Sequence, residues 1–109
     1  MTTTKRRTQN WAGKSGKVYQ YEVYGLDTDW NDVPGNYIFV KLNSANRWAP
    51  LYIGETDSFK TRLPNHEKWP CVRQHGVTHI HAHKNSAETA RKSEETDLRN
   101  AWPTPCNLQ

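Results

Sequence analysis

The segment GNYIFVKLNSANRWAPLYIGET, Gly35 to Thr56, decides the fold because it contains two apolar runs separated by a polar loop. The runs GNYIFVKL and PLYIG are short and rich in β-branched and aromatic residues, which is typical of strands. The loop NSANRW between them indicates a hairpin connection. We therefore predict an antiparallel pair of strands, with Gly54 at the end of the second one.

Two tyrosines of this hairpin are candidates for a common site. Tyr52 lies between Leu51 and Ile53, so its ring points to the opposite face of the sheet if those two side chains face the core. Tyr37 belongs to the preceding strand and can lie beside Tyr52. A single strand tyrosine is most simply a packed aromatic residue with a hydrogen-bonded hydroxyl, but this pair is followed closely by Arg62 and His66.

Alternating apolar and polar residues predict two more strands. In KVYQYEVYGL, the apolar residues Tyr19, Tyr21 and Val23 alternate with polar ones, and VTHIHAH alternates in the same way. A period of two is the signature of a half-buried strand. One strand therefore precedes the hairpin and one follows it.

Two helices are predicted after the hairpin. In ETDSFKTRLPNHEKW, Asp57 or Ser58 can cap a helix that Pro64 bends or ends early. The segment NSAETARKSEETDLRNAW predicts the longest helix, with Asn85 and Glu88 in the spacing of a capping box. The order of elements predicts an α+β fold, in which a small, mostly antiparallel sheet is flanked by helices and has an extra N-terminal strand.

Length and composition limit the chain to one small domain. It has 109 residues, 34% of them hydrophobic, and a mean hydropathy of −1.02, so the core is expected to be small. Residues 1–16 are rich in Thr, Lys, Arg, Gly and Ser, which predicts a flexible basic tail. Residues 17–109 are predicted to form a single domain.

Charge and cysteine content indicate the partner and the compartment. The net charge of +4 and the pI near 9.2 favour an anionic partner, of which nucleic acid is the commonest. Cys71 and Cys106 lack CxxC spacing, and we see no secretory signal and no apolar stretch of membrane length. We therefore predict reduced thiols without a disulfide, and a soluble, cytoplasmic protein without membrane contact.

Arg62 and His66 have the residue types and the spacing of a phosphate site. They are one helical turn apart, at i and i+4, so we predict that both project from the same face of the short helix after Gly54. An arginine can stabilise charge on a phosphate oxygen, and a neutral histidine can accept a proton near pH 7. The simpler alternative is a surface arginine beside a partly packed histidine.

A divalent metal would need a carboxylate on a rigid element, and Glu94 and Glu95 are the candidates. Both lie in the long predicted helix, Glu94 within its apolar stripe and Glu95 at the edge of that stripe. The geometry of the helix does not choose between them.

These motifs together resemble the GIY-YIG nuclease domain. The series GNYIF, LYIGET, FKTRLPNH, EETDL and PTPCN occurs in the family's order, with GNY in place of the first motif and YIG intact. The resemblance extends from Gly35 to Asn107. Asn36 departs from the usual apolar residue of the first motif, and the strand KVYQYEVYGL precedes the motifs as an addition.

The resemblance implies roles for seven residues. Tyr37 and Tyr52 are similar to the motif tyrosines that line the site and position the attacking water, and Arg62 resembles the arginine that stabilises phosphate charge. His66 is similar to the family's proton acceptor or water-orienting residue. Glu95 fits the metal-binding glutamate better than Glu94 does. Gly54 and Asn107 are implied as structural residues, Gly54 for the turn that brings the site together.

The implied activity is metal-dependent hydrolysis of DNA phosphodiester bonds with one Mg²⁺ or Mn²⁺. Family members often have a separate DNA-binding domain, so substrate preference is expected to come here from loops, the basic tail or a partner protein. The sequence does not predict an oligomeric state.

Two other functions remain open. His79, His81 and His83 occupy alternate positions of one predicted strand, so two of them can bind one Zn²⁺ or Ni²⁺ in a metal-binding or sensor protein. A nucleic-acid-binding module without catalysis is the other, and it would use four tryptophans as stacking surfaces: Trp11, Trp30, Trp48 and Trp69.

Overall fold

A computed structural model describes residues 7 to 107, and within them it has five strands and three helices. In chain order these are β1 Thr8–Ala12, β2 Val18–Gly25, β3 Gly35–Leu42, β4 Trp48–Thr56, α1 Phe59–Arg62, α2 Trp69–Gln74, β5 His79–Lys84 and α3 Glu88–Ala101. The fold is α+β, with an antiparallel sheet flanked by helices, as the sequence predicts.

The last strand in the sequence, β5, lies in the middle of the sheet, between strands that precede it in the chain. The strand order is β1-β2-β5-β3-β4, and all neighbouring strands are antiparallel. The predicted pairing of β3 with β4 is confirmed. The strand that precedes the motifs, β2, is internal and lies between β1 and β5.

Each face of the sheet has its own apolar cluster. One cluster packs under α1, α2 and the C-terminal segment, and includes Tyr37, Phe39, Tyr52, Phe59 and Leu63. The other packs against α3, and includes Trp11, Tyr21, Ile38, Ile53 and Leu98. Both faces of the central strands are therefore buried, which explains how a polar sequence still forms a core.

An irregularity in the hairpin changes the predicted orientation of β4. Phe39 pairs with Tyr52, but Val40 pairs with Pro50, so Leu51 has no cross-strand partner. Leu51 joins the cluster of Tyr52, while Ile53 lies on the other face. The expectation that Leu51 and Ile53 share a face was wrong because a bulge adds one residue to the strand.

The predicted flexible tail is wrong for the part that the structure describes. Residues 8–12 form edge strand β1, in which Trp11 is buried and donates its indole N–H to Nδ1 of His81 at 2.9 Å. The following turn is held by Asp97, which accepts from the backbone N–H and the hydroxyl of Ser15. Residues 1–6 lie outside the described range. Composition suggested disorder, but the buried Trp11 and the ladder with β2 attach this segment to the sheet.

The helices differ from prediction at their ends. Ser58 caps α1 as expected, accepting from Thr61 N–H at 3.2 Å. The predicted capping box is wrong, because Ala87 is the N-cap of α3 and Asn85 instead donates to Asn36. Helix α2 was not predicted, since six residues that begin with Trp69 and Pro70 are too few to show a helical period.

The expectation of reduced cysteines is also wrong, because Cys71 and Cys106 form a disulfide. Their Cα atoms are 5.9 Å apart, so α2 is joined to the C-terminal segment across 35 residues of sequence. The spacing of the cysteines and the inferred compartment could not predict that the fold brings the two side chains together. Separately, no helix within residues 7 to 107 has both the length and the apolar character to span a membrane.

Candidate active site

The two motif tyrosines lie side by side on the face of the sheet that α1 and α2 cover. The rings of Tyr37 and Tyr52 are stacked, with centroids 6.2 Å apart and planes inclined by 27°. The predicted proximity of the two is confirmed. Both rings are almost fully buried, since Tyr37 is 1% and Tyr52 8% exposed.

Gly54 leaves the space that Tyr37 fills. It pairs with Tyr37 across the hairpin, and a Cβ atom added to it would lie 2.6 Å from Cζ and Oη of that ring. The strand continues to Thr56, so the expectation that Gly54 ends the strand and forms a turn was wrong. Its role is close approach, for which only a residue without a side chain is suitable.

His66 contacts Tyr37 directly, although it does not share a helix with Arg62. Helix α1 ends at Arg62, and His66 follows Pro64 in a turn. The prediction of a common helical face was therefore wrong, because the chain leaves the helix before Pro64. The turn nevertheless brings His66 Nε2 to 2.6 Å from the Tyr37 hydroxyl, and His66 is only 3% exposed.

The backbone fixes which nitrogen of His66 bears the proton. The N–H of Lys68 lies 3.0 Å from Nδ1 and can only donate, so Nδ1 must accept. Burial, followed by the charge of Arg62, lowers the pKa of His66 to about 4, and the ring is neutral at pH 7. The single ring proton is therefore on Nε2, and His66 donates it to the oxygen of Tyr37.

Arg62 is the cation nearest this pair, and it is already engaged. Its guanidinium donates to Glu67 at 2.7 Å, and its side chain is 36% exposed. Burial acts to lower the pKa of Arg62, but hydrogen bonds to Glu67 and Tyr37 raise it above its usual value. Arg62 is thus a permanent positive charge between the buried phenol and solvent.

The pKa of Tyr37 is well above its usual value, first because of burial and then because of Tyr52. The charge of Arg62 acts in the opposite direction, and Glu95 raises the pKa further. Tyr37 is therefore protonated in the resting site. Arg62, at the end of α1, and Glu95, in α3, therefore both influence the pKa of Tyr37.

Glu95 lies on α3 and is connected to Tyr52 through Arg99. Its carboxylate is 3.3 Å from Arg99, and Arg99 in turn lies 3.5 Å from the Tyr52 hydroxyl and over that ring. Burial and the neighbouring Glu55 raise the pKa of Glu95, although Arg99 opposes them. A carboxylate that is 22% exposed and repelled by another carboxylate is suited to receive a cation.

Glu94 lies away from this site. It is 5% exposed, and one carboxylate oxygen accepts from both the Tyr21 hydroxyl, at 2.5 Å, and His83 Nε2, at 2.6 Å. These contacts belong to the opposite face of the sheet. The two glutamates therefore differ in environment, because Glu95 is connected to Tyr52 through Arg99, whereas Glu94 is bonded to Tyr21 and His83.

Asn107 acts as an additional edge partner of β4. Its side chain accepts from Ile53 N–H at 2.8 Å and donates to Ile53 C=O at 3.1 Å. The backbone of Cys106 also donates to Leu51 C=O at 3.0 Å. Both polar groups of Ile53 are thereby satisfied, which fixes the strand immediately after Tyr52. This arrangement matches the structural role that the resemblance implies.

The three histidines of β5 share one face, as predicted, but each is engaged separately. His79 contacts the Thr78 hydroxyl, His81 accepts from Trp11, and His83 is bonded to Glu94. Among residues 7 to 107, they do not form a cluster of donors suited to one ion; Cys71, His75 and Cys106 do.

The four candidate tryptophans pack against the apolar clusters and do not form an exposed aromatic surface. Trp11 is 3% exposed, and the other three are partly buried in contact with the clusters: Trp30, Trp48 and Trp69. They stabilise the fold, so the observations give no support to a stacking platform for bases.

Sequence reasoning missed several polar residues around the site. Arg99 could have been predicted, because it follows Glu95 by four residues on the same helix face. Nothing in the sequence marks Glu67 as part of the site. Asn36 is fully buried and donates to the C=O of Arg91, whose guanidinium donates to Glu55 at 2.9 Å. Asn36 thus connects β3 to α3.

No family model matches this chain, and neither a curated protein nor a solved structure does.

Proposed function

We propose that this chain is a metal-dependent endonuclease of the GIY-YIG kind that hydrolyses DNA phosphodiester bonds. One observation carries the proposal: Tyr37 is hydrogen-bonded to His66, while the charges of Arg62 and Glu95 act on the same phenol. A polarised hydroxyl, a cation and a carboxylate are the parts that phosphoryl transfer requires.

In this proposal Tyr37 positions the attacking water. His66 donates to the Tyr37 oxygen, so the hydroxyl hydrogen of Tyr37 is directed to a different acceptor. If Tyr37 loses that hydrogen, the Nε2–H of His66 and the charge of Arg62 stabilise the resulting phenolate. His66 is then a positioning donor and not the proton acceptor.

Arg62 binds the phosphate of the scissile bond. It is more exposed than the tyrosines and His66, and its fork of N–H groups matches two phosphate oxygens. Glu67 occupies that fork in the free protein, and it is 68% exposed. We expect DNA binding to exchange the Glu67 contact for a phosphate contact.

Glu95 is the residue that would hold the metal. It offers a partly desolvated carboxylate near Tyr52, and a single carboxylate is a common protein contribution to Mg²⁺, which keeps several water ligands. A bound Mg²⁺ or Mn²⁺ would supply Lewis acidity at the phosphate and lower the pKa of a bound water. Arg99 holds the carboxylate in place from the next turn of α3.

The proposed partner is DNA, with specificity from loops or from a partner protein. A cytoplasmic location is also part of the proposal, although structural disulfides are rare there.

The test is cleavage of plasmid, linear duplex and branched DNA by the purified chain with Mg²⁺ or Mn²⁺. Tyr37→Phe, Arg62→Gln and Glu95→Gln should each reduce cleavage by about a hundredfold or more. Glu88→Gln is the matched control for Glu95, because Glu88 is an exposed residue of the same helix whose partner is Lys92. Tyr19→Phe controls for loss of a tyrosine hydroxyl elsewhere, since that hydroxyl contacts Asp97.

Cleavage that survives all three site variants would overturn the proposal. Binding of DNA without cleavage by the folded wild-type chain would support the non-catalytic module instead. Circular dichroism of each variant separates lost chemistry from lost folding.

A further inference from the structure

A second cluster of reactive side chains lies between α2 and the C-terminal segment. Cys71 lies in α2 and His75, four residues later, is the residue that ends it, while Cys106 faces them from the other segment. Nδ1 of His75 lies 3.9 Å from Sγ of Cys71 and 4.0 Å from Sγ of Cys106. One ligand atom from each of the three residues falls within 4.8 Å of the others.

The sulfur-to-nitrogen distances suit a tetrahedral ion once the disulfide is opened, because the two bonded sulfurs must separate to about 3.8 Å around Zn²⁺. A Zn²⁺ bound at about 2.3 Å from sulfur and about 2.0 Å from nitrogen separates those ligand atoms by roughly 3.6 Å. The observed sulfur-to-nitrogen distances exceed this value by only a few tenths of an ångström. His75 is the C-cap of α2, and its position four residues after Cys71 leaves the two donors on the same side of the chain.

We infer that Cys71, His75 and Cys106 form a redox-dependent site for a borderline divalent cation, Zn²⁺, which is bound only when the disulfide is reduced. Thiolate and imidazole ligands select Zn²⁺ and similar ions over Mg²⁺, which prefers oxygen. The site is therefore distinct in chemistry from the carboxylate of Glu95.

The change from the disulfide to the zinc-bound state conserves atoms and electrons when a dithiol is the reductant. Two thiol groups of a small dithiol reductant become a disulfide, and two electrons and two protons pass to the Cys71–Cys106 bond to give two thiols. Binding of Zn²⁺ then releases both protons, because thiolates are the ligands. His75 Nδ1 gives up its hydrogen bond to the C=O of Cys71, at 2.9 Å, and the ring proton moves to Nε2.

The fourth ligand position is open to solvent. A groove of about 440 Å³ lies against the cluster and is lined by Glu67, Gln74, His75 and Pro105, among others. A water molecule can complete the coordination from that groove, as in zinc sites with three protein ligands. His75 is exposed and Cys106 is buried, so the ion would enter from the His75 side.

The cross-link has the same structural effect in either state. Cys106 precedes Asn107, which holds Ile53 beside the tyrosines, and Cys71 follows the turn that contains His66. A disulfide or a Zn²⁺ ion therefore joins the same two segments. Reduction without metal is the only state that leaves them unlinked.

The test uses the full chain, reduced with dithiothreitol and freed of it under nitrogen, and titrated with Co²⁺ as the probe. We expect one Co²⁺ per chain, with thiolate-to-metal charge-transfer absorption and tetrahedral ligand-field bands, and displacement by Zn²⁺. The oxidised chain should show neither. Zn²⁺ should raise the melting temperature of the reduced chain and leave that of the oxidised chain unchanged.

Variants assign the ligands. Cys106→Ser and His75→Ala should each weaken Co²⁺ binding by at least about tenfold. His75 is exposed at the end of α2, so its variant is expected to fold even if Cys106→Ser does not. His79→Ala is the matched control, because it removes a histidine of the rival group on β5. Unchanged binding by both ligand variants, no binding by the reduced chain, or a loss caused by His79→Ala would each overturn the inference.

Discussion

Glu67 holds Arg62 through a contact of 2.7 Å between a carboxylate oxygen and a guanidinium nitrogen. The residue that we expect to meet DNA phosphate is therefore paired with a competing anion in the free protein. Because Glu67 is 68% exposed, the pair is easily exchanged, and its strength is reduced by salt.

Glu67→Gln should tighten DNA binding by about two- to fivefold, because Arg62 no longer has an anionic partner to lose. Fluorescence anisotropy of a labelled duplex in EDTA measures the affinity without cleavage. Glu88→Gln removes one negative charge from an exposed site on α3 and is the control for net charge. Equal gains in both variants would show that Arg62 is not specifically released.

Acid should destabilise the protein through His66. Its pKa is about 4 when folded against 6.5 for the free side chain, so between these values the unfolded chain binds a proton that the folded chain does not. Stability is then constant above pH 6.5 and falls as pH decreases through this window. For His66 alone we expect a loss of about 2 kcal/mol between pH 8 and pH 5.

Urea unfolding at pH 5, 6 and 8 measures this loss. Burial of His81, whose pKa is lowered to about 3, contributes in the same direction. His66→Gln retains an acceptor and a donor but does not titrate, so its stability should depend less on pH than that of the wild type. Equal unfolding free energies of the wild type at pH 5 and pH 8 would exclude this explanation.

Gly54→Ala should destabilise the fold by about 1–3 kcal/mol, because the added methyl group meets the Tyr37 ring. Both the ring and its contact with His66 would have to move. Gly25→Ala is the matched strand variant, since its Cβ would meet only the flexible Asp27 side chain, at 3.0 Å. Thermal unfolding compares the two, and an equal effect would show that close packing at Tyr37 is not the cause.

Asn107→Ala should cost about 1–3 kcal/mol, because the N–H of Ile53 loses its acceptor, while the C=O keeps its contact with Arg99. Asn100→Ala, an exposed change on α3, should have little effect. Hydrogen exchange gives a local measurement: the Ile53 amide should exchange faster in Asn107→Ala alone. Protection at Ile53 that equals the wild-type value would contradict the role of Asn107.

Reduction of the disulfide should lower the unfolding free energy by about 2–4 kcal/mol when no metal is present. The bond closes a loop of 35 residues, and release of that constraint adds entropy to the unfolded chain. Urea unfolding with and without dithiothreitol, in EDTA, measures the difference. Cys71→Ser should match the reduced wild type and should not respond to the reductant.

Strands β2 to β5 were predictable because alternation and apolar runs are local signals. Tyr19, Tyr21 and Val23 show the alternation of β2, whereas β1 has a single large apolar residue, Trp11, whose burial depends on α3 and β5. The bulge at Leu51 was also hidden, because a one-residue shift in pairing leaves no mark in the sequence of β4 alone.

The proximity of the candidate residues was predictable, but their geometry was not. Arg62 and His66 both act on Tyr37, yet they do so from a helix end and a turn that Pro64 separates. The proton position on His66 depends on the backbone of Lys68, which is a tertiary property. The disulfide depends on two segments that meet only in the folded chain.

Because β5 separates β2 from β3 in the sheet, a chain leaving the ribosome first releases two hairpins that do not pair with each other. Residues 79 to 84 arrive late and must enter between them, forming antiparallel ladders on both edges at once. Until then β2 and β3 each expose an unpaired edge, which is the condition that favours association between nascent chains. Synthesis of this protein thus includes an interval in which a holding chaperone would protect the growing chain.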